Sequence, residues 1–483
     1  MSKDIIGFLK EHEASSPVSF HMPGHKGVDF YDRNGFGKEV RALASWDITE
    51  IAGADNLFQP ESIIYDTMNK YKALYGSKKS YLLINGSSSG IIAALLAAVP
   101  RGGKLIMARN CHKSVFNALY LGDIKPAYIL PRVEEPYGIS GEVEVDEVVR
   151  LMDENPDASA VILGSPNYYG ICSDVAEISR EAHRRGMILI VDQAHGAHLK
   201  FFESVSSPDG FSLPGSAESL GADVVINSTH KTLASFTQTA VLNVCSDRMD
   251  LYALEDKLQM LESSSPSYPL MATLDINADI LMIKGRELMK AWEENLKWFY
   301  QKADEIDGLA LMKTNRLDPT KINLDMSDCG FNGDMLEDFL IDHDIFPELV
   351  SGDIVMCMTG IGNVRADYER LVTVLTEAAS RREEFYRSAV VGEKEEKCAT
   401  DDSMRTCGNL MFKGVPDGRE LVPITQAVGR VCAMSVIPYP PGIPLVCPGE
   451  ELDVSVVEHI RDLREAGRKV IGVDEKMRVW IGK

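Results

Sequence analysis

The chain has 483 residues, of which 45% are hydrophobic and 25% are charged. This length is enough for one large core domain with one or two smaller domains. The formal net charge of −22 at pH 7 disfavours binding to nucleic acid and to anionic membrane surfaces. We therefore expect a globular protein with neither a nucleic-acid partner nor a membrane partner.

The cysteines and the N-terminus bear on the cellular location. The nine cysteines are scattered without a Cys-x-x-Cys pair, which is typical of reduced thiols in a cytosol. The first residues lack the apolar region of a signal peptide. No apolar run in the sequence approaches the roughly 20 residues that span a bilayer. These features predict a cytoplasmic protein.

The hydrophobic pattern divides the chain into four segments. Residues 1–62 are predicted to form an N-terminal arm of short helix and loop, and residues 63–300 a large domain. Residues 301–392 are predicted to form a smaller α/β domain, and residues 393–483 a C-terminal subdomain that begins with the charged run 393–397. Strands alternate with helices in the large domain, which predicts an α/β fold with a mostly parallel sheet. The predicted strands are 81–84, 104–108, 127–130, 159–163, 187–191, 224–227 and 240–244, and a long helix is predicted at about 275–306.

A serine-rich turn follows the first of these strands. The turn Asn85-Gly86-Ser87-Ser88-Ser89-Gly90 precedes an apolar helical pattern, so it would present hydroxyls and backbone N–H groups at a helix N-terminus. Such a terminus attracts anions, which predicts a phosphate-binding site. The sequence matches neither a Walker P-loop nor a dinucleotide fingerprint. An ordinary helix cap is the alternative interpretation.

Two charged residues follow later strands. Lys231 lies in Ser228-Thr229-His230-Lys231 after the strand 224–227, where a bare ammonium would be costly to bury. A lysine of lowered pKa can form a Schiff base with pyridoxal phosphate (PLP). Asp192 ends the strand 187–191 and could keep the PLP pyridine nitrogen protonated. The alternatives are a lysine that extends to water and an aspartate that caps the next turn.

Together with three further motifs, these segments resemble the fold-type I, PLP-dependent ornithine/lysine/arginine decarboxylases. The further motifs are Phe20-His21-Met22-Pro23-Gly24-His25-Lys26-Gly27, Arg109-Asn110-Cys111-His112-Lys113-Ser114 and Pro438-Tyr439-Pro440-Pro441-Gly442-Ile443-Pro444. All of them occur in family order along nearly the whole chain. The resemblance implies an aminotransferase-like fold-type I domain with smaller C-terminal α/β domains. Because the His-Met-Pro-Gly-His part of the first motif begins at His21, the chain is similar to the short form without an N-terminal wing domain.

The resemblance also implies roles for individual residues. Lys231, His112 and Asp192 are the candidate catalytic residues, with the His112 ring stacked on the cofactor. Glu348 and His21 are candidates for substrate binding. The candidate PLP-binding residues are Ser87, Ser88, Ser89, His112, Asp192, His195, Ser228, His230, Lys231 and Ser264. The family more often has Thr at position 88, but Ser88 retains the hydroxyl.

Two histidine pairs raise the question of a metal site. His21 and His25 are four residues apart, and His195 and His198 are three apart. No third ligand supported by a carboxylate is evident, so we predict no bound metal.

The implied reaction is decarboxylation of a basic amino acid. The first candidate is L-arginine, converted to agmatine and CO2 in polyamine biosynthesis, and lysine or ornithine is the alternative substrate. PLP itself does not choose which bond breaks, so another fold-type I enzyme such as an aminotransferase or lyase remains an alternative. In such an enzyme Arg430 could bind the substrate carboxylate. A non-catalytic PLP-binding paralogue is a further alternative.

The resemblance implies a homodimer or a dimer of dimers. In this fold the segments 21–27 and 263–269, the latter including Ser264, are expected to approach active sites at the dimer boundary.

Overall fold

The computed structural model describes Leu9 and residues 12–205, 213–382, 410–439, 444–465 and 467–483. The charged run 393–397 and residues 440–443 of the proline-rich motif therefore lie outside the described residues. Within the described ranges, none of the helices is both long enough and apolar enough to cross a membrane. The boundaries of the four predicted segments remain a prediction.

The N-terminal segment packs against the rest of its own chain. Its elements are β1 (Val18–Phe20), α1 (Val28–Asn34), α2 (Gly37–Arg41) and α3 (Ile63–Tyr75), with a 3-10 turn at Leu43–Trp46. Strand β1 pairs in parallel with a later strand, so that Val18 lies opposite Ile345. The predicted arm is thus partly a strand, too short to show a hydrophobic period in the sequence.

Gly24 brings this segment to the loop that contains Lys231. The Gly24 N–H donates to the His230 carbonyl at 2.8 Å, and the Gly362 N–H donates to the Gly24 carbonyl at 2.9 Å. A Cβ at position 24 would lie 2.4 Å from the Thr232 carbonyl carbon, so only glycine allows this approach. The segment 20–27 therefore contacts the candidate site of its own chain.

A seven-stranded sheet forms the centre of the large domain. In chain order its strands, with a short hairpin of β5 and β6 between them, are β2 (Lys79–Leu83), β3 (Lys104–Ala108), β4 (Lys125–Ile129), β5 (Val133–Glu134), β6 (Ile139–Ser140), β7 (Ala158–Gly164), β8 (Ile188–Asp192), β9 (Val224–Asn227) and β10 (Ala240–Val244). The spatial order is β2-β10-β9-β8-β7-β3-β4, and β10 runs antiparallel to both of its neighbours. The predicted mostly parallel sheet is confirmed.

Helices cover the sheet and bury its apolar strands. They are α4 (Gly86–Ala98), α5 (Lys113–Gly122), α6 (Val145–Glu154), α7 (Val175–Arg184), α8 (Leu199–Phe202), α9 (Thr229–Thr232) and α10 (Leu251–Leu261). Because parallel strands are buried on both faces, they appear in the sequence as continuous apolar runs. One hydrophobic core accordingly joins these strands to α4, α5 and α7.

The long helix α11 (Tyr268–Ala303) leads to the small domain. It begins about seven residues before the predicted start, because Ser267 caps it and Pro269 is tolerated in its first turn. The small domain contains β11 (Ala310–Leu311), β12 (Lys321–Asp325), α12 (Gly333–Asp342), β13 (Ile345–Pro347), β14 (Leu349–Ser351), β15 (Ile354–Met358) and α13 (Arg365–Ser380). Its antiparallel sheet has the order β11-β12-β15-β14. One core joins this domain to α11 and the N-terminal segment.

The C-terminal region has a core of its own. Its elements are β16 (Arg419–Pro423), β17 (Ile437–Tyr439), α14 (Val454–Glu465), β18 (Lys469–Ile471) and β19 (Arg478–Gly482). β16 pairs with β19 and β17 with β18, both antiparallel. The small and C-terminal regions thus agree with the prediction of smaller domains after the large one.

Candidate active site

A cavity of about 350 Å³ opens where the parallel strands end. The carboxyl ends of neighbouring parallel strands meet at one edge of a sheet, which is where ligands bind in such folds. The loops after β2, β3, β7, β8 and β9 all contribute to its wall. Of the twelve predicted site residues, eight line this cavity: Ser87, Ser88, His112, Asp192, His195, Ser228, His230 and Lys231.

Lys231 lies in the one-turn helix α9, directly after β9. Its Nζ is 2.9 Å from Nε2 of His195. Removal from bulk water lowers the pKa of Lys231, and the carboxylates of Asp192 and Glu348 oppose that shift. A lowered pKa increases the fraction of neutral amine, which is the nucleophilic form.

Asp192 is the last residue of β8. Its Oδ1 accepts a hydrogen bond from the Ala194 N–H at 3.1 Å, which is the turn contact of the alternative interpretation. The side chain also lines the cavity. Burial raises the pKa of Asp192, while the Lys231 ammonium opposes the rise. A buried carboxylate of this kind is stabilised by a cationic partner such as a protonated ring nitrogen.

His112 caps the N-terminus of α5, after β3. Its Nδ1 accepts from the Ser114 N–H at 3.2 Å and lies 2.8 Å from the Ser114 hydroxyl. Burial, with a smaller contribution from Lys231, lowers the pKa of His112 to about 3. The ring is therefore neutral at pH 7, and acceptance at Nδ1 places the proton on Nε2.

The N-terminus of α4 forms one end of the cavity. Gly86 adopts a φ of +83°, and no side chain caps the free N–H groups of the first turn. The hydroxyls of Ser87 and Ser228 lie 2.9 Å apart. Nδ1 of His230 donates to the Thr239 carbonyl at 2.7 Å. Hydroxyls and unpaired N–H groups at a helix N-terminus are suited to bind an anion.

Ser89 and Ser264 lie elsewhere. The Ser89 hydroxyl donates to the Gly86 carbonyl at 2.8 Å and contacts the Glu262 carboxylate, so it is already bonded within the protein. Ser264 is exposed, and it is not among the described residues that line the cavity of its own chain. Their predicted contact with a cofactor therefore remains a prediction.

The two predicted substrate-binding residues lie behind Met22, which is itself part of the cavity wall. Glu348 accepts a hydrogen bond from the Met22 N–H at 2.9 Å, and Nδ1 of His21 contacts the Met22 carbonyl. Burial raises the pKa of Glu348, and the nearby lysines, Lys231 among them, oppose the rise. Both residues thus contact Met22 of the cavity wall, and neither is among the described residues that line the cavity.

Several residues of the wall were not predicted from the sequence. Asn167 and Tyr168 follow β7, and the Tyr168 ring lies 4.9 Å from the His195 ring. Their position after the predicted strand 159–163 is the signal that could have found them. Lys321 donates to the His195 carbonyl at 2.8 Å, and no local sequence signal points to it.

The residues present fit PLP. The anion-binding helix terminus at Ser87 and Ser88 fits a phosphate, and the buried Asp192 carboxylate fits a protonated pyridine nitrogen. Lys231 lines the same cavity and has a lowered pKa, which fits a lysine that binds an aldehyde. The flat His112 ring on the cavity wall fits a stacking partner.

Comparisons with known proteins agree with this fit. The family model "Orn/Lys/Arg decarboxylase, major domain" matches residues 5–316, and "Orn/Lys/Arg decarboxylase, C-terminal domain" matches residues 406–478. Uncharacterized protein YaaO of Bacillus subtilis is 32% identical over 96% of this chain and 94% of its own length. An arginine decarboxylase of the same organism is 30% identical over 97% of this chain and 94% of its own length.

The fold has a solved counterpart. Lysine decarboxylase A from Pseudomonas aeruginosa superposes with a TM-score of 0.74 over 99% of this chain and 80% of that one, at 20% sequence identity. The motif around Lys231, the strand order and the two matched domains lead to one assignment. This chain belongs to the Orn/Lys/Arg decarboxylase family and is a PLP-dependent decarboxylase with the fold-type I architecture.

Proposed function

We propose that this enzyme decarboxylates a basic amino acid, with L-arginine as the substrate and agmatine and CO2 as the products. The reaction type rests on the match to the decarboxylase family, and the observation that carries the PLP chemistry is a single cavity that combines a lysine of lowered pKa with a buried aspartate, Lys231 and Asp192. Arginine is favoured because the relative named arginine decarboxylase is 30% identical over nearly both full lengths. The solved lysine decarboxylase shares 20% identity.

PLP, when bound, supplies an electron sink for the bond that breaks at the substrate α-carbon. The chain's own residues hold and move protons around it. In this proposal Asp192 would keep the ring nitrogen protonated, and the Lys231 amine would hold the cofactor through its aldehyde. The neutral His112 ring, with its proton on Nε2, would lie against the cofactor. The proton that the substrate carbon takes up would come from the Lys231 ammonium, or from His112 after its ring has been protonated. Ser87, Ser88, Ser228 and His230 bind the phosphate.

The far end of a basic substrate needs a negative partner. An unpaired cation in a closed site is costly, and a carboxylate can bind a guanidinium through two parallel hydrogen bonds. Glu348 is the proposed partner, because its carboxylate lies directly behind Met22 at the cavity wall. His21, whose Nδ1 contacts the Met22 carbonyl, is proposed to shape the same rim.

Product analysis tests the proposal. The purified enzyme with PLP is incubated separately with arginine, lysine and ornithine, and the amine product and CO2 are measured by mass spectrometry and gas release. We expect agmatine from arginine and no turnover by Lys231→Ala. Clean turnover of lysine without turnover of arginine would overturn the ranking of substrates.

A second measurement locates the cofactor. Borohydride reduction of the holoenzyme followed by peptide mapping should place the pyridoxyl group on Lys231. A label on any other lysine would remove Lys231 from its proposed role.

Arg430 argues against the aminotransferase alternative. Its guanidinium donates to the Glu420 carboxylate at 2.5 Å and to the Gly482 carbonyl at 2.8 Å, both in the C-terminal region. It is not among the described residues that line the cavity. Release of an α-keto acid instead of CO2 would restore this alternative. A cofactor spectrum that shifts with substrate, without turnover, would instead indicate a non-catalytic paralogue.

We also propose that the functional unit is a homodimer, or a dimer of dimers, in the cytoplasm. The support is a set of exposed apolar side chains near the start of the chain: Trp46, Ile48, Ile51, Ile63 and Tyr65. Exposed apolar groups that lie close together are typical of protein–protein interfaces. Ser264, exposed in its own chain, is proposed to reach the partner's cavity. Sedimentation should show a dimer, and an active monomer would contradict the proposal.

A further inference from the structure

Lys321 is a fully buried lysine outside the proposed catalytic set. It begins strand β12 of the small domain, and its side chain has no exposed surface. Its ammonium donates to Asp318 Oδ2 at 3.0 Å, to the Thr320 hydroxyl at 3.2 Å and to the His195 carbonyl at 2.8 Å. An ammonium has three donors, and these three acceptors use all of them. The burial of such a charge is costly and calls for a specific reason.

Asp318 is the ion-pair partner of this lysine. Burial alone would raise the pKa of Asp318, but the Lys321 ammonium and His198 lower it well below its usual range. The Asp318 carboxylate lies 3.1 Å from Nε2 of His198 and accepts the Thr320 N–H at 3.0 Å. The negative charge is thus fixed in place, and Lys321 is held as its cationic partner.

The third contact of Lys321 leads to the active site. His195 lies in the turn after β8, and its Nε2 is 2.9 Å from the Lys231 amine. The next residue, Gly196, is tightly enclosed, since a Cβ there would lie 2.5 Å from a ring carbon of Pro166. The turn therefore has little freedom to place the His195 ring in another way.

We propose that Lys321 is a positioning residue: by binding the His195 carbonyl, it lets the small domain hold the His195 imidazole against the Lys231 amine. The positive charge of Lys321 has a second effect. A like charge nearby disfavours protonation of an amine, so Lys321 adds to the lowering of the Lys231 pKa that burial begins.

Other groups also face Lys231. The carboxylates of Asp192 and Glu348 raise its pKa, and the neutral rings of His195 and His112 line the same cavity. The effect of a substitution at Lys321 is therefore the difference between the Lys231 pKa of the variant and that of the native enzyme, with these other groups left in place.

The test measures the amine of Lys231 itself. The full-length enzyme, freed of PLP, is exposed briefly to acetic anhydride at a series of pH values, and acetylation of the Lys231 peptide is quantified by mass spectrometry. For Lys321→Met we expect the profile to move to higher pH, so that less of Lys231 is labelled at pH 8. Lys321→Arg keeps the charge and should retain most of the native profile.

Lys70→Met is the matched control. Lys70 pairs with Asp275 and Asp279 between α3 and α11, and it is not among the described residues of the cavity wall. Its loss should leave the Lys231 profile unchanged. In the holoenzyme, the pH midpoint of the cofactor absorption band should move with Lys321→Met in the same direction as the labelling profile.

An unchanged Lys231 profile in folded Lys321→Met would overturn the inference. If this variant fails to fold because Asp318 is left unpaired, the variant Lys321→Met with Asp318→Leu removes both charges, and an unchanged profile there would also overturn it. The inference rests on the proposed role of Lys231 for its effect on turnover. The labelling profile does not depend on which amino acid is the substrate, so the two proposals can fail separately.

Discussion

The contact between Arg109 and Glu450 joins the C-terminal region to the active-site edge of the sheet. Arg109 follows β3, three residues before His112, and both side chains of the pair are buried to 1% or less exposure. The guanidinium donates to Glu450 at 3.0 Å and to the Pro444 and Leu445 carbonyls at 2.9 and 3.0 Å. We predict that Glu450→Gln releases the C-terminal region from the large domain.

The size of the effect follows from these contacts. Removal of one partner of a buried ion pair costs about 3–5 kcal/mol, because the other charge stays buried without compensation. Arg109 would keep its two carbonyl acceptors, which places Glu450→Gln near the lower end, at about 3 kcal/mol. That is a change of about 100-fold in the equilibrium for local opening.

Hydrogen–deuterium exchange read by mass spectrometry measures this opening. Peptides from the ranges 444–465 and 467–483 should exchange about 100-fold faster in Glu450→Gln, while peptides of β7 and β8 keep their native rates. Glu420→Gln is the matched control, because the Arg430–Glu420 pair lies in the same region with both side chains about 40% exposed. Such a pair contributes about 1 kcal/mol or less. Exchange in Glu450→Gln within threefold of the native rate would refute the reasoning.

Three further predictions concern the active site. Asp192→Asn should lower kcat by about 100-fold or more, equivalent to roughly 3 kcal/mol, with a smaller loss of PLP binding; a near-native rate would mean that Asp192 is only a turn cap. Glu348→Gln should raise KM for the basic amino acid much more than it weakens PLP binding, and unchanged kinetics would remove Glu348 from the site. Burial lowers the folded-state pKa of three histidines, His112 to about 3 and His25 and His230 to about 4. Between about pH 6.5 and pH 4 each of these histidines is neutral in the folded state but protonated in the unfolded state. The contribution of each to the free energy of unfolding is therefore complete above about pH 6.5 and is lost as the pH falls towards 4. The loss is up to about 1.4 kcal/mol for each histidine and each pH unit. A melting temperature that stays constant from pH 7 to pH 4 would contradict this.

The strands of the central sheet could be predicted because each one is marked by its own stretch of sequence. Each predicted strand of the large domain is present, with ends within two residues of the prediction, since a strand buried on both faces is a continuous apolar run. The start of α11 was placed too late, because Ser267 and Pro269 have the composition of a loop although both suit a first helical turn. Strand β1 was not predicted, because its partner β13 is more than three hundred residues away in the sequence.

The local sequence likewise predicted some residues of the candidate site and not others. Lys231, Asp192, His112 and the Ser87 turn all follow predicted strands, and the fold brings such positions to one edge of the sheet. Ser89 belongs to the same turn, but its position on the first turn of α4 directs its hydroxyl to Glu262 instead of the cavity. That orientation depends on a residue about 170 positions away, so the turn sequence alone could not predict it.

The residues that support the site share a further property. The Gly24 N–H, the Lys321 ammonium and the Arg109 guanidinium all donate to backbone carbonyls in another part of the chain. A carbonyl is the same in every residue type, so the accepting positions carry no sequence signal. The lysine and arginine donors can be recognised only by the free-energy cost of burying their charges, because a buried lysine or arginine is rare without a partner. Through these contacts the N-terminal segment and the small domain fix the loops around Lys231, and the C-terminal region fixes the turn before His112. The geometry that PLP requires is therefore set by how these regions dock on the sheet, and a substitution at a docking contact should alter the cofactor site without touching it.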